Sequence, residues 1–139
     1  MDDAYNLQRF VDAQNPVFAQ VCSELRAGQK TSHWMWFIFP QIAGLGSSSL
    51  ARQYAISSLD EAKAYLNHPV LGPRIRECTR LVLSIEGRTT GEIFGTPDDL
   101  KFRSSLTLFA HAEPAEQVFQ AALRKYFGGQ GDSLTLARL

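Results

Sequence analysis

Apolar residues recur along this chain at the three- and four-residue intervals of a single helical face, and the alternating pattern of strands is nearly missing. Leu7, Phe10 and Val11 share one face. Asn15-Pro16 reads as a helix start, followed by the stripe Val17, Phe18, Val21, Cys22 and Leu25, and Gly28 stops it. Ser58-Leu59-Asp60-Glu61 has the form of a capping box and opens a helix that Pro69 closes. Pro73 to about Ile85 reads as a long helix burying Ile75, Cys78, Leu81 and Val82. Thr89-Thr90-Gly91-Glu92 offers a second capping box, for a short turn through Phe94. Thr96-Pro97-Asp98-Asp99 combines a capping hydroxyl, a proline at the first helical position and two carboxylates against the positive helix end. The helix it opens carries Phe102, Leu106 and Phe109. Glu113-Pro114 starts another, ended by Gly128-Gly129, and Asp132-Ser133 caps a last short one. The pattern predicts one all-α domain over residues 1–139 with about six to eight helices.

Thr31-Ser32-His33-Trp34-Met35-Trp36-Phe37-Ile38-Phe39-Pro40-Gln41 stands apart from these stripes, holding both tryptophans of the chain. Each buried aromatic removes on the order of 150–250 Å² from water, so the run can serve as core. Its indole N–H groups, Ser32, His33 and Gln41 need hydrogen-bond partners, and aromatics mixed with convergent polar groups also make up small-ligand sites. One face can be core while the other lines a cleft. Gly44-Leu45-Gly46 and three serines follow, then a helix through Tyr54. Such a loop can present backbone N–H groups to an anion. It is not a dinucleotide fingerprint, because the third glycine is missing and no parallel strands follow. In Asp98 to Thr107, Asp99 and Arg103, and likewise Lys101 and Ser105, lie one turn apart and can pair on the surface. Alternatively, Lys101, Arg103 and Ser104 turn toward the aromatic run and bind an anion, with Tyr54 on the same wall.

Composition narrows the choice. Apolar residues make up 45% and charged residues 20% of 139, an ordinary globular mixture. Fourteen basic and fourteen acidic residues balance, which disfavours nucleic-acid binding by bulk charge. The opening MDDAYNLQRF lacks the basic and apolar segments of a signal peptide, and the run Trp34 to Phe39 is too short to span a membrane. The cytoplasm is the expected location. Cys22 and Cys78 are expected as reduced, buried small groups. His33, His68 and His111 are far apart and without ligand-spaced partners, so no metal or other cofactor is expected. His68 and His111 are read as solvated or capping residues.

The blocks Thr31 to Phe37, Phe39-Pro40-Gln41, Gly44-Leu45-Gly46, Tyr54 to Ser58, His68 to Gly72 with Arg74, Ile93-Phe94-Gly95, Asp98 to Lys101, Arg103-Ser104-Ser105 and Thr107-Leu108-Phe109 together resemble the bacterial family called domain of unknown function 1810. The resemblance implies an all-α fold and a stand-alone small protein, and no activity. Members are sometimes labelled calpastatin, but protease inhibitors of that name are disordered repeats, whereas this chain has a core. His33-Trp34-Met35 and the Lys101-Phe102 helix are also similar to blocks of the NADAR family, which acts on ADP-ribose linkages and related N-glycosides. That family places a glutamate directly before the His-Trp pair, where this chain has Ser32. A glycosidic reaction here would then fall to Glu61, Asp98 or Asp99.

Two functions follow as expectations. The first is binding of a nucleotide-like or ADP-ribosyl ligand, with N-glycoside hydrolysis as its extension. Trp34, Trp36 and Phe39 would stack on the ligand, His33 and Gln41 would bond it, and Ser32 lies beside them. Lys101, Arg103, Ser104 and the Gly44–Gly46 loop would meet its phosphates. The alternative is a non-catalytic module that docks a protein, its aromatics serving as anchors.

Overall fold

The structure, a computed structural model, describes residues 3–139; Met1 and Asp2, the first residues of the opening segment, lie outside the described residues. It contains ten helices: α1 (Gln8–Gln14), α2 (Phe18–Arg26), α3 (Met35–Ile38), α4 (Ser49–Gln53), α5 (Leu59–Asn67), α6 (Leu71–Leu83), α7 (Thr90–Phe94), α8 (Asp98–Ala112), α9 (Gln117–Phe127) and α10 (Ser133–Leu136). The number exceeds the expected six to eight because α3, α4, α7 and α10 are four or five residues long. Such helices are too short to hold themselves and are fixed by what surrounds them. No strand is present among the described residues, only a parallel bridge between Ile42 and Ile56.

Several starts and stops follow local chemistry. Ser58 Oγ accepts from Glu61 N at 3.2 Å, but the Glu61 carboxylate turns to the N–H of Ser57 rather than that of Ser58, so this capping box is only half formed. Thr89 and Glu92 complete theirs in both directions. Asp132 caps α10, and Gly128 ends α9 in the left-handed conformation at φ 63°.

Other boundaries differ. Thr96 does not cap α8: the carbonyl of Gly95 takes the Asp99 N–H at 2.9 Å, and the helix begins after Pro97. Glu113-Pro114 does not open α9, because the Glu116 N–H closes a turn on Glu113 O at 3.0 Å and the helix starts at Gln117. α2 begins at Phe18, after the Val17 N–H closes on Gln14 O at 3.0 Å. α6 begins two residues ahead of Pro73, because His68 Nδ1 accepts from the N–H groups of Val70 and Leu71 at 3.1 and 3.2 Å. Histidine is thus the cap of the second-longest helix.

α8 is the central element. It packs against α5, α7, α9 and α10 and buries nine of its residues, from Phe102 to Ala112. Phe102 meets Phe39 at 4.9 Å and Phe94 at 4.7 Å, while Phe109 meets Tyr65 at 5.2 Å and Phe119 at 5.8 Å. Edge-to-face and tilted contacts of this kind add to the area they bury. α1 is fastened by Arg9, which donates to the carbonyls of Asn6, Gln53 and Ala55 and pairs with buried Glu61 at 3.2 Å.

At Gly72 the backbones of α5 and α6 approach closely. A Cβ there would lie 2.1 Å from the Leu66 carbonyl oxygen, a backbone atom that Arg76 also binds. Gly72→Ala must therefore displace backbone, and a loss of about 2 kcal/mol is expected in denaturant unfolding, within the overpacking range.

Candidate functional site

The aromatic run is set in place by Glu24 of α2. This buried carboxylate accepts from Thr31 N at 2.8 Å, Ser32 N at 3.1 Å, Trp34 Nε1 at 2.9 Å and Gln20 Nε2 at 2.9 Å, and from the Ser32 hydroxyl. Burial pushes the Glu24 pKa up, but the bonds from Ser32, Thr31, Gln20 and Trp34 outweigh it and hold the group well below the ordinary carboxylate range. Ser32 is thereby accounted for as the end of a buried anion's hydrogen-bond set. Sequence reasoning missed Glu24. Its one local signal is position: a carboxylate beside the apolar stripe of Val21, Cys22 and Leu25 that is buried with them.

From there a chain of charges crosses to α8. Lys30 Nζ lies 5.2 Å from the Trp34 ring centre and 2.9 Å from Asp98. Asp98 also pairs with Lys101 at 3.5 Å, and Lys101 Nζ lies 5.3 Å from the Trp36 ring centre. The two sequence blocks thus face each other, joined through Lys30, Asp98 and Lys101.

Beyond this junction lies a groove of about 420 Å³. Gln41, Leu45, Gly46, Ser47, Ser48 and Ala51 form one wall; Pro97, Leu100, Lys101, Arg103 and Ser104 of α8 form the other, and Asp132 and Leu134 close it. A second hollow of about 310 Å³ lies along the same loop and shares Gln41, Gly46 and Ala51 while adding Gly44 and Arg52. Gly44 has φ 98°, a conformation open to glycine, and the Arg138 guanidinium lies against it, 2.3 Å from where a Cβ would stand. Ser48 caps α4 through Ala51 N at 3.1 Å.

Of the residues singled out from sequence, Gln41, Gly46, Lys101, Arg103 and Ser104 meet in this groove, and Gly44 borders the adjoining hollow. Trp36 is half-buried beside Lys101. His33 is exposed and stands outside the groove wall. Trp34 and Phe39 are each 1% exposed, so neither offers a face for a ligand to stack on. Tyr54 packs against Phe10 at 5.7 Å and Phe37 at 5.4 Å instead of joining the groove. The helical pairs expected on α8 do not form: Arg103 Nε donates to Gln130 O at 3.0 Å, with its guanidinium over Phe127, and Lys101 turns to Asp98. Ser105 is buried, its hydroxyl without a partner.

The acids proposed for a glycosidic step are engaged or placed elsewhere. Glu61 holds Arg9 and both the N–H and hydroxyl of Ser57, and Asp98 sits between two lysines. Asp99 Oδ1 accepts from Leu100 N at 2.9 Å. Among the described residues there is no cluster of three or more His, Cys, Asp or Glu groups fit to hold a metal, and no helix is long and apolar enough to cross a membrane.

A small all-α domain with an amphiphilic groove between a glycine loop and its central helix is thus defined. The chain belongs to the family described as Protein of unknown function (DUF1810), whose model matches residues 4–139. It is similar to the conserved hypothetical protein Rv1873 from Mycobacterium tuberculosis, known from a crystal structure, with 60% identity, a TM-score of 0.97, and coverage of 99% of this chain and 98% of that one. No curated protein matches the sequence. Neither match names an ADP-ribose-processing protein.

Proposed function

We propose that the protein binds a small anionic, nucleotide-like ligand in the groove between the 41–48 loop and α8. The observation that carries this reading is the convergence of Lys101, Arg103 and Ser104 with Gln41 and Gly46, far apart in sequence, on one concave surface. Two cations on one wall suit a phosphate or carboxylate, which guanidinium and ammonium groups bind through charge-assisted hydrogen bonds. The Gln41 amide supplies both a donor and an acceptor. The Leu45, Leu100 and Leu134 side chains give the groove apolar area against which a ring or chain can lie.

Binding rather than N-glycoside hydrolysis is the better-supported form of this reading. The acid in the groove wall is Asp132, and its Oδ2 accepts from Thr135 N at 2.9 Å and Thr135 Oγ1 at 2.7 Å. A general acid or nucleophile for glycoside cleavage needs a carboxyl free to face the sugar.

Thermal shift and tryptophan fluorescence with ADP-ribose, NAD and mononucleotides test the proposal. A ligand that stabilises the wild type is expected to bind at least about tenfold more weakly to Lys101→Ala and Arg103→Ala, a loss of roughly 1.4 kcal/mol. Its affinity should also fall with salt. No response to any of them at millimolar concentration overturns the reading. That outcome is what the alternative, a non-catalytic protein-docking module, expects. The alternative draws on Leu100 and Leu134, which are 55% and 66% exposed on the same rim.

A further inference from the structure

Cys22 and Cys78 are the two cysteines of the chain. They lie on α2 and α6, helices that pack against each other, and both are buried with their thiols free. The register between these helices is regular. Phe18 of α2 lies under the Arg74 guanidinium at 4.8 Å, and one turn further along both helices Cys22 and Cys78 fall at the matching positions. A turn beyond, Arg26 and Leu81 line a common surface hollow. The two helices therefore run in parallel, with the thiol pair at the middle rung of three. Facing side chains on packed helices are held at fixed separation, which keeps the sulfurs together.

We propose that Cys22 and Cys78 form a redox-modifiable pair, closed by a peroxide into a disulfide that joins α2 to α6. The roles of the two are unequal. Cys22 is 6% exposed against 0% for Cys78, so oxidant reaches Cys22 first. The bond from Cys78 brings the Cys22 thiol down to about 7 against the opposing effect of burial, with Arg26 and Arg74 lowering it and Glu77 raising it. The same bond and burial push Cys78 up. The sulfur that oxidant reaches is the one that reacts with it, so Cys22 attacks and Cys78 resolves.

The steps balance. Cys22 thiolate attacks one oxygen of hydrogen peroxide, the O–O bond breaks, and the departing hydroxide takes the thiol's proton as water, leaving Cys22 sulfenic acid. The Cys78 sulfur then attacks the Cys22 sulfur. The S–O bond breaks, and the hydroxide leaves with the Cys78 proton as a second water. Two thiols lose two electrons and two protons; one peroxide is reduced to two waters.

Native protein treated with hydrogen peroxide, then unfolded and alkylated, tests this. Free thiols are expected to fall from two to none, with a Cys22–Cys78 cross-linked peptide in a non-reducing digest. The melting temperature should rise by several degrees and return on adding dithiothreitol, because the bridge restricts the unfolded chain. Cys78→Ala should leave Cys22 as a dimedone-trapped sulfenic acid, and Cys22→Ala should leave Cys78 unreacted. Recovery of both alkylated thiols, or disulfides only between chains, overturns the pair. Oxidation of Cys78 in Cys22→Ala as fast as in the wild type overturns the assigned order. Should either variant fail to fold, the wild-type digest decides alone.

Discussion

Glu24→Ala is expected to lower the unfolding free energy by about 3–5 kcal/mol, because it strands several donors at once and the cost of one buried unpaired group is about 1–3 kcal/mol. The Trp34 indole N–H is fully buried and has no water to turn to. The Thr31 and Ser32 N–H groups lie nearer the surface and are partly rescued. Denaturant unfolding measures the loss, and the melting temperature should fall by roughly 10–15 °C. Glu24→Gln should cost less, since its remaining oxygen still accepts from the indole. The pH dependence has a definite sign. The folded-state pKa of Glu24 lies below its ordinary value of 4.5, so its stabilisation is complete above that pH and is lost as pH falls toward the folded-state value. The acid limb of the stability curve should therefore be shallower in Glu24→Gln than in the wild type. An unchanged acid limb would show that the carboxylate's charge contributes nothing.

Phe102→Ala should be comparably damaging, at about 3–5 kcal/mol. The ring is fully buried and stands between Phe39 and Phe94, with Phe127 at 6.4 Å. Its loss opens a cavity on the core side of α8, opposite the face on which Leu100, Lys101, Arg103 and Ser104 line the groove. A double-mutant cycle with Phe94→Ala should give a coupling of about 0.5–3 kcal/mol, since the two rings share one contact surface. Strictly additive losses would mean that the cluster relaxes around either vacancy independently.

The parts of this fold legible in the sequence were those decided by neighbours in the chain. Thr89 and Glu92, Asp132 and Gly128 each act on backbone groups within a few residues, so their spacing is the whole signal. Boundaries went astray where a non-standard partner took the backbone group, as the His68 ring does for α6 and the Gly95 carbonyl does for α8. α3 is a single turn, which periodicity cannot separate from a loop. At the candidate site, the grouping of Gln41 and Gly46 with Lys101, Arg103 and Ser104 was readable from polar residues out of place on otherwise apolar segments. The fate of Trp34 was not. Whether an indole faces ligand or core depends on which acceptor its N–H finds, and Glu24 lies on a helix whose approach no local pattern reveals.

The bridge between Ile42 and Ile56 has a consequence for how the groove is built. Ala43 N donates to Ile56 O at 2.8 Å and Ile56 N to Gln41 O at 2.9 Å, tying the two ends of the intervening segment together at its root. Residues 44–52 thus form a drawstring purse: the cord on either side is secured at buried isoleucines, and the pouch between hangs at the surface. Lengthening or recolouring the pouch costs the core little, since closing a loop of altered length changes the free energy only slowly. One lip of the groove is therefore a replaceable part, and the other, α8, belongs to the core itself.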